Sequence, residues 1–154
     1  MNGGRCMSYN MLRDVQEFHK KFDLPTEKYP GFPSDEILEF RKKFLREELN
    51  EFEEAVKNKD LVKVLDALAD LVYVALGTAI FMNLPFQDAW NIVHNANMTK
   101  IKARSSKDSK RSSIHDVIKP PNWTPPDMMI HSVILAYEYK LKIGATSVGD
   151  HDED

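Results

Sequence analysis

The sequence holds a single cysteine, Cys6, among its 154 residues. That excludes an internal disulfide and any thiolate metal cage, and it fits a reducing, cytoplasmic setting in which Cys6 is inert. A basic excess is also missing. Lys and Arg number 21 against 24 Asp and Glu, for a formal net charge of −3, whereas nucleic-acid binders neutralise phosphates with a broad positive surplus. No nucleic-acid partner is expected, although a small anionic ligand needs only a local pocket. Long apolar runs are absent too. The longest, Leu71 to Met82, has 12 residues, short of the roughly 20 that span a bilayer, so it reads as a buried helix and no membrane partner is expected. Met1 to Ser8 contain Arg5 with no apolar stretch behind it, so no secretory signal is expected. The motifs Glu-x-x-His, HExxH, the P-loop and GxGxxG do not occur, which removes the di-iron carboxylate bundle and the best-marked zinc and nucleotide sites.

What is present is a chain of one-domain size, 42% hydrophobic and therefore able to close a single core. Leu12, Val15, Phe18 and Phe22 recur at helical spacing and predict a first helix from Tyr9 to Phe22, stopped by Leu24-Pro25. A Pro-rich loop, Pro25 to Pro33, leads to Ser34 or Asp35 as N-cap of a long helix reaching Lys57. Asp60 caps a third helix running to Met82, and the short connection between the two makes an antiparallel hairpin. Pro85 suits the first turn of a fourth helix, expected to reach Ala103. Residues 104–126 shift to Ser, Lys and Pro and read as a loop. Thr124 to Asp127 then resemble a cap, first-turn prolines and a capping-box acid ahead of a fifth helix, with Ile130, Val133, Ile134, Tyr137 and Leu141 on one stripe, ending near Gly144. Residues 1–8 are expected to be flexible and the acidic tail, 145–154, disordered. No alternating sheet pattern appears, so the fold class is all-α, in one domain over 9–144.

Acids stand where the helical pattern calls for apolar residues. At about 100° per residue, Ile37, Phe40, Phe44 and Ala55 share a face of the second helix, and Glu48 and Glu51 lie inside that arc with Arg41, while Glu47 sits at its edge. On the third helix, apolar nearly all round from Ala67 to Met82 and so expected to be largely buried, Asp66, Asp70, Tyr73 and Gly77 form one stripe. Aspartate is a mediocre helix former, so propensity does not explain the pair. Crowded carboxylates are unfavourable through desolvation and mutual repulsion unless cations neutralise them. Glu47, Glu48, Glu51, Asp66 and Asp70 can form one oxygen-only site, and such ligands favour Mg²⁺ or Mn²⁺. A buried ion network with Arg41 or Lys63 would satisfy the same acids without a metal. The pairs His115-Asp116 and His151-Asp152 match the metal dyad of another helical phosphohydrolase class by motif alone, and both fall in loop or tail.

The order Glu47-Glu48-x-x-Glu51, followed by an acid pair ahead of an apolar run, resembles the MazG-like all-α nucleoside triphosphate pyrophosphohydrolases, whose core pattern is EExxE followed by ExxD. Asp66-Ala-Leu-Ala-Asp70-Leu-Val-Tyr-Val-Ala-Leu-Gly-Thr-Ala looks like the branch of phosphoribosyl-ATP pyrophosphohydrolase-like proteins and dimeric dUTPases. The resemblance extends from Asp14 to Asp127. It departs at Ala67, where the family has Glu; the acid stands one place earlier, at Asp66, still one turn from Asp70.

The resemblance implies a four-helix bundle core with an additional C-terminal helix, and a (deoxy)nucleoside triphosphate held by two or three Mg²⁺ ions. Water would attack the α-phosphorus and pyrophosphate would leave. Glu48, Glu51, Asp70 and Asp66 would be metal ligands, and Glu47 the general base or an outer ligand. On the fourth helix the stripe Phe86, Trp90, Val93 turns polar at Asn97 and Lys100, and Asn97-Met-Thr-Lys100 matches a phosphate-contacting segment of that branch. His94 and Tyr73 are further substrate candidates; His19 could also meet a base but reads first as an interhelix histidine, Phe18 and Phe22 could join Tyr73 in an aromatic base pocket but read first as core, and Lys107 to Arg111 reads as a solvated loop. Trp123 is expected to fold back over the bundle or onto a neighbouring subunit. The apolar third helix suggests a homodimer or homotetramer. Compatible substrates are dUTP, dCTP, a purine triphosphate such as dGTP, or phosphoribosyl-ATP. The alternative is a non-catalytic helical nucleotide-binding or interaction protein.

Overall fold

Helices begin where a short polar side chain can take up free backbone N–H groups. Asn10 Oδ1 accepts from Arg13 N–H at 3.3 Å, Ser34 Oγ from Ile37 N–H at 3.4 Å, and Asp60 Oδ1 from the N–H groups of Val62 and Lys63 at 3.0 and 3.1 Å. Each such cap is worth about 1 kcal/mol. The computed structural model describes residues 10–146. Its helices are α1 (Met11–Lys21), α2 (Asp35–Asn58), α3 (Leu61–Phe81), α4 (Phe86–Met98) and α5 (Asp127–Thr146), and a short antiparallel pair joins β1 (Ile101–Lys102) to β2 (Val117–Ile118). The fold class is all-α, as the periodicities require. Cys6, His151-Asp152 and the tail beyond Thr146 lie outside the described residues.

Helix stops are less conventional. α1, α2 and α3 end with Asp23, Lys59 and Asn83 at positive φ, 50°, 56° and 48°, where glycine is the usual residue. After each, the next N–H reaches back five residues: Leu24 to His19 O, Asp60 to Ala55 O, and Leu84 to Ala79 O, at 2.9 to 3.0 Å. These are Schellman closures made without glycine.

Two expected boundaries move. α4 stops at Met98 and not at Ala103: the Thr99 hydroxyl bonds Ala96 O at 2.8 Å, and Ile101 and Lys102 turn away to pair with Ile118 and Val117. Lys100 is therefore not helical. α5 starts only at Asp127, so Pro125 and Pro126 precede the helix, and Pro126 O accepts from Ile130 N–H at 3.0 Å.

The described residues fall into two compact units, one ending at Leu84 and one beginning at Pro85. In the first, α2 and α3 form the expected hairpin, with buried Ala55 and Ala67 letting the backbones approach. α1 packs on α3, and the loop after it is pinned to the end of α3 by bonds from Glu27 N–H to Phe81 O, Gly31 N–H to Met82 O and Asn83 Nδ2 to Lys28 O, all 3.0 to 3.1 Å. In the second unit α4 packs on α5, whose residues Ile130, Val133, Ile134, Tyr137 and Leu141 are half-buried along one stripe.

The expectation that α3 is largely buried fails. Ala67, Val74, Leu76, Gly77, Ala79 and Phe81 are buried, but Leu61 is 81% and Leu65 71% exposed, and Leu68 and Val72 continue the same bare stripe. Within the first unit only α1 and α2 are available to cover it, and both lie on its other side. With 21 residues and a mean hydropathy of 1.8, α3 meets the length and composition of a bilayer span. Two aspartates in its middle oppose that use, at about 2.5–3.5 kcal/mol each on insertion scales.

At the centre of this unit Arg41, His19 and Gly77 meet. A Cβ on Gly77 would lie 3.0 Å from Arg41 Nη2 and 3.2 Å from His19 Nε2, so the two side chains occupy the space a larger residue would need. His19 is buried, edge-on to Phe81 at 4.8 Å, with Nδ1 lacking a hydrogen-bond partner among the described residues. Burial, then Arg41, hold its pKa below the ordinary value.

Gly77→Ala is expected to destabilise the protein in chemical denaturation, because overpacking costs about 1–3 kcal/mol and outweighs the roughly 1 kcal/mol alanine gains over glycine in a helix. A second expectation concerns pH. The folded chain protonates His19 less readily than the unfolded chain, so its contribution is complete above about pH 6.5 and is lost as pH falls from there through the lower folded value. The melting temperature of His19→Asn should fall less than that of the wild type over this range.

Candidate active site

Arg41 sets the register of the two long helices. Its Nε donates to Thr78 Oγ1 at 3.1 Å and its Nη2 to Val74 O at 2.6 Å, while the Thr78 hydroxyl donates to the same carbonyl at 2.8 Å. With Arg41 fixed opposite residues 74–78, two turns further along α2 and two turns back along antiparallel α3 bring Glu48 opposite Ala67 to Asp70. The next turn brings Glu51 toward Asp66.

The electrostatics agree. Glu48 is only 6% exposed, and its pKa is raised by burial first, then by Asp70, Glu51, Glu47 and Asp66. One buried carboxyl thus feels all four other candidate acids, so the five expected residues are brought together. They are not buried together: Glu47, Glu51, Asp66 and Asp70 are exposed. Glu51 lies inside the apolar arc of an ideal helix, yet the part of that arc that is buried is the narrower line through Arg41, Glu48 and Ala55.

Charge compensation is sparse. Lys63 Nζ pairs with Asp66 at 3.1 Å, with both side chains more than half exposed, and this is the one ion pair on the cluster among the described residues. Arg41 serves the Val74 carbonyl and Thr78, not the acids. The ion network is therefore realised only at Asp66. Among the described residues no three His, Cys, Asp or Glu side chains already stand close enough to cage an ion. In kind the donors suit a hard divalent cation: one buried carboxylate ringed by four exposed ones that are free to reorient.

Beside the acids on the same stripe of α3, Tyr73 meets Phe18 edge-on at 5.5 Å, and Phe18 packs on Phe22 at 4.6 Å. Phe18 and Phe22 were expected in the core. All three are partly exposed instead, and burial and Asp14 raise the Tyr73 pKa. The result is an aromatic surface continuous with the carboxylate face. His19, by contrast, is a core histidine.

His94 and Asn97 are exposed on α4, and Lys100 follows its end. They belong to the second unit, where Trp123 Nε1 donates to Ala96 O at 2.9 Å, folding Trp123 back onto α4. Lys100 Nζ and Lys119 Nζ lie 5.7 and 4.1 Å from its ring. Sequence reasoning missed Lys119, since only the β1–β2 pairing brings it beside Lys100. The His115-Asp116 motif is a loop fastener: Asp116 accepts from Ser109 Oγ at 2.6 Å, Val117 N–H at 2.9 Å and Arg111 at 3.0 Å, which keep its carboxyl low. Arg111 makes this contact while its side chain stays 78% exposed, within the solvated run.

Residues 15–97 match the family model described as phosphoribosyl-ATP pyrophosphohydrolase, a span that runs from the buried Val15 of α1 to Asn97 in the last turn of α4. No curated protein matches the chain.

Because Glu48 is held in a field of like charge, Glu48→Gln is expected to raise the melting temperature in the absence of divalent cations. An unchanged or lower value would show that the carboxylate is already compensated.

Proposed function

The chain belongs to the phosphoribosyl-ATP pyrophosphohydrolase family, a family of nucleotide pyrophosphohydrolases, and from that premise we propose that it hydrolyses a (deoxy)nucleoside triphosphate to the monophosphate and pyrophosphate with Mg²⁺. The observation that carries this reading is the buried Glu48 under the field of four further carboxylates. A folded chain tolerates such a cluster when a cation completes it.

Glu48, Glu51 and Asp70 would hold magnesium, with Mn²⁺ able to substitute and two or three ions per site. Asp66, shared with Lys63, would serve as an outer ligand. Bound magnesium supplies positive charge against the phosphates and makes water more acidic. Glu47, exposed at the rim of the cluster, takes the proton as the water oxygen bonds to the α-phosphorus; the α–β phosphoanhydride bond breaks and pyrophosphate departs. Tyr73, backed edge-on by Phe18, offers a face to the nucleobase. Asn97 and Lys100 offer an amide and an ammonium to phosphate oxygens, and His94 an imidazole.

The bare stripe Leu61, Leu65, Leu68, Val72 recurs at i, i+4, i+7 and i+11, the pattern of a helix face that another helix covers. It supports a homodimer or homotetramer, and sedimentation of the purified chain should give a mass at least twice that of the 17.8 kDa polypeptide.

The catalytic reading predicts pyrophosphate release that requires Mg²⁺, disappears with EDTA, and falls roughly a hundredfold or more in Glu51→Gln or Asp70→Asn, the scale on which loss of one charge-stabilising group acts. Screening dUTP, dCTP, dGTP and phosphoribosyl-ATP would identify the substrate. Full activity in either folded variant overturns the assignment. Tight nucleotide binding without turnover in the wild type would make the chain a regulator.

A further inference from the structure

We propose that Asp14 selects the base of the substrate by accepting hydrogen bonds from the Watson–Crick edge of guanine, so that the chain acts on guanine nucleoside triphosphates. The inference rests on reading the protein as a nucleotide pyrophosphohydrolase and concerns the first unit alone. Asp70 and Tyr73 share one stripe of α3, separated by about 4.5 Å of helical rise. A triphosphate held at the carboxylates therefore has the exposed aromatic surface beside it for its base.

Stacking alone does not choose among bases. Phe18 and Tyr73 meet at 88° and 5.5 Å, and Phe22 lies 4.6 Å from Phe18, which gives a planar ring one face to lie on and an edge to abut. Every nucleobase offers a π-face, so such a surface is tolerant. Discrimination has to come from a polar group at its rim.

Asp14 is placed to be that group. It stands one turn before Phe18 in α1, so the two side chains are neighbours on one helix face. The next residue, buried Val15, puts Cγ1 3.7 Å from where a Cβ on Gly77 would stand, which seats this turn of α1 against α3. Burial and then the charge of Asp14 raise the Tyr73 pKa, so the carboxylate lies within electrostatic reach of that phenol. Asp14 is half-buried, yet its carboxylate has no hydrogen-bond or ion-pair partner among the described residues. The adjacent cation, Arg13, is taken by Glu17 at 3.3 Å.

An ionised carboxylate accepts hydrogen bonds and donates none. Guanine presents two adjacent donors, N1–H and the 2-amino group, which match the two carboxylate oxygens in a charge-assisted bidentate pair. Adenine and cytosine set an acceptor nitrogen beside their amine, and uracil and thymine flank a single N–H with carbonyls. Each of those bases turns an acceptor toward the carboxylate.

Pyrophosphate release with Mg²⁺ from dGTP and from dITP, which differ only in the 2-amino group, tests this. In the wild type kcat/KM for dGTP should exceed that for dITP about tenfold or more, the scale of one hydrogen bond to a charged group, with dATP, dCTP and dUTP poorer than dGTP. The dGTP to dITP ratio should collapse toward one in Asp14→Ala, persist in part in Asp14→Glu, and stay unchanged in Glu17→Gln on the same helix. A wild-type ratio near one, or a ratio that survives Asp14→Ala, overturns the proposal. In the latter case a lowered melting temperature of Asp14→Ala would mark Asp14 as a first-turn acid that stabilises the N-terminus of α1. Calorimetric titration of the same two nucleotides with Ca²⁺ in place of Mg²⁺ separates recognition from chemistry. An Asp14-dependent preference for dGTP in binding, with no pyrophosphate released from any nucleotide, leaves this site standing and removes the catalytic reading; turnover without that preference does the reverse. A wild type that binds neither nucleotide overturns both.

Discussion

A buried guanidinium holds the first unit in register. Arg41 has no carboxylate partner among the described residues, and burying an uncompensated charge costs several kcal/mol. The structure offsets this with the Val74 carbonyl, the Thr78 hydroxyl and three rings, Phe40, Phe44 and Phe81, whose centroids lie 5.3 to 5.7 Å from the guanidinium carbon. Gly77 supplies the room. Because the acceptors are one turn apart on α3, sliding the hairpin by a turn would break both bonds. The position of Glu48 against Asp70 follows from that constraint, and so does the convergence of the other acids.

The two polar centres of this unit differ in kind. Around Arg41 nearly every polar group is matched and a substitution disturbs packing. Around Glu48 the charges are of one sign, and the exposed Lys63–Asp66 pair offsets little, since such surface pairs contribute about 0–1 kcal/mol. The first centre fixes geometry, and the second remains short of positive charge. A rigid frame next to an unsatisfied cluster is what a site completed by a ligand requires.

Much of this was legible in the residues. Ser34 and Asp60 mark helix starts because a side-chain oxygen one residue before a helix has a specific job, and the EExxE order exposes itself by standing where apolar residues belong. The helix stops were less legible. Glycine is the usual signal, and Asp23, Lys59 and Asn83 do the work here. The end of α4 was misread because it depends on Thr99 capping its own helix and on a two-residue strand whose partners, Ile118 and Val117, lie far along the chain. Exposure was misjudged for a related reason: periodicity shows that a face is apolar, not which neighbour covers it, so the α3 stripe and the Phe18–Phe22 pair both looked like core. Lys119 could be placed only once the strand pairing was known.

The three left-handed stops bear on how far this sequence lies from the most stable one its fold admits. Asp and Asn enter that conformation fairly readily, but a long side chain such as Lys59 gives up roughly 1–2 kcal/mol there relative to glycine, a noticeable share of the 5–15 kcal/mol typical of a folded domain. That slack sits in the tight connection between α2 and α3, at the end of the hairpin remote from Arg41. For an engineer it is a natural first place to harden the protein against heat, because the carboxylate face owes nothing to the side chain at that turn.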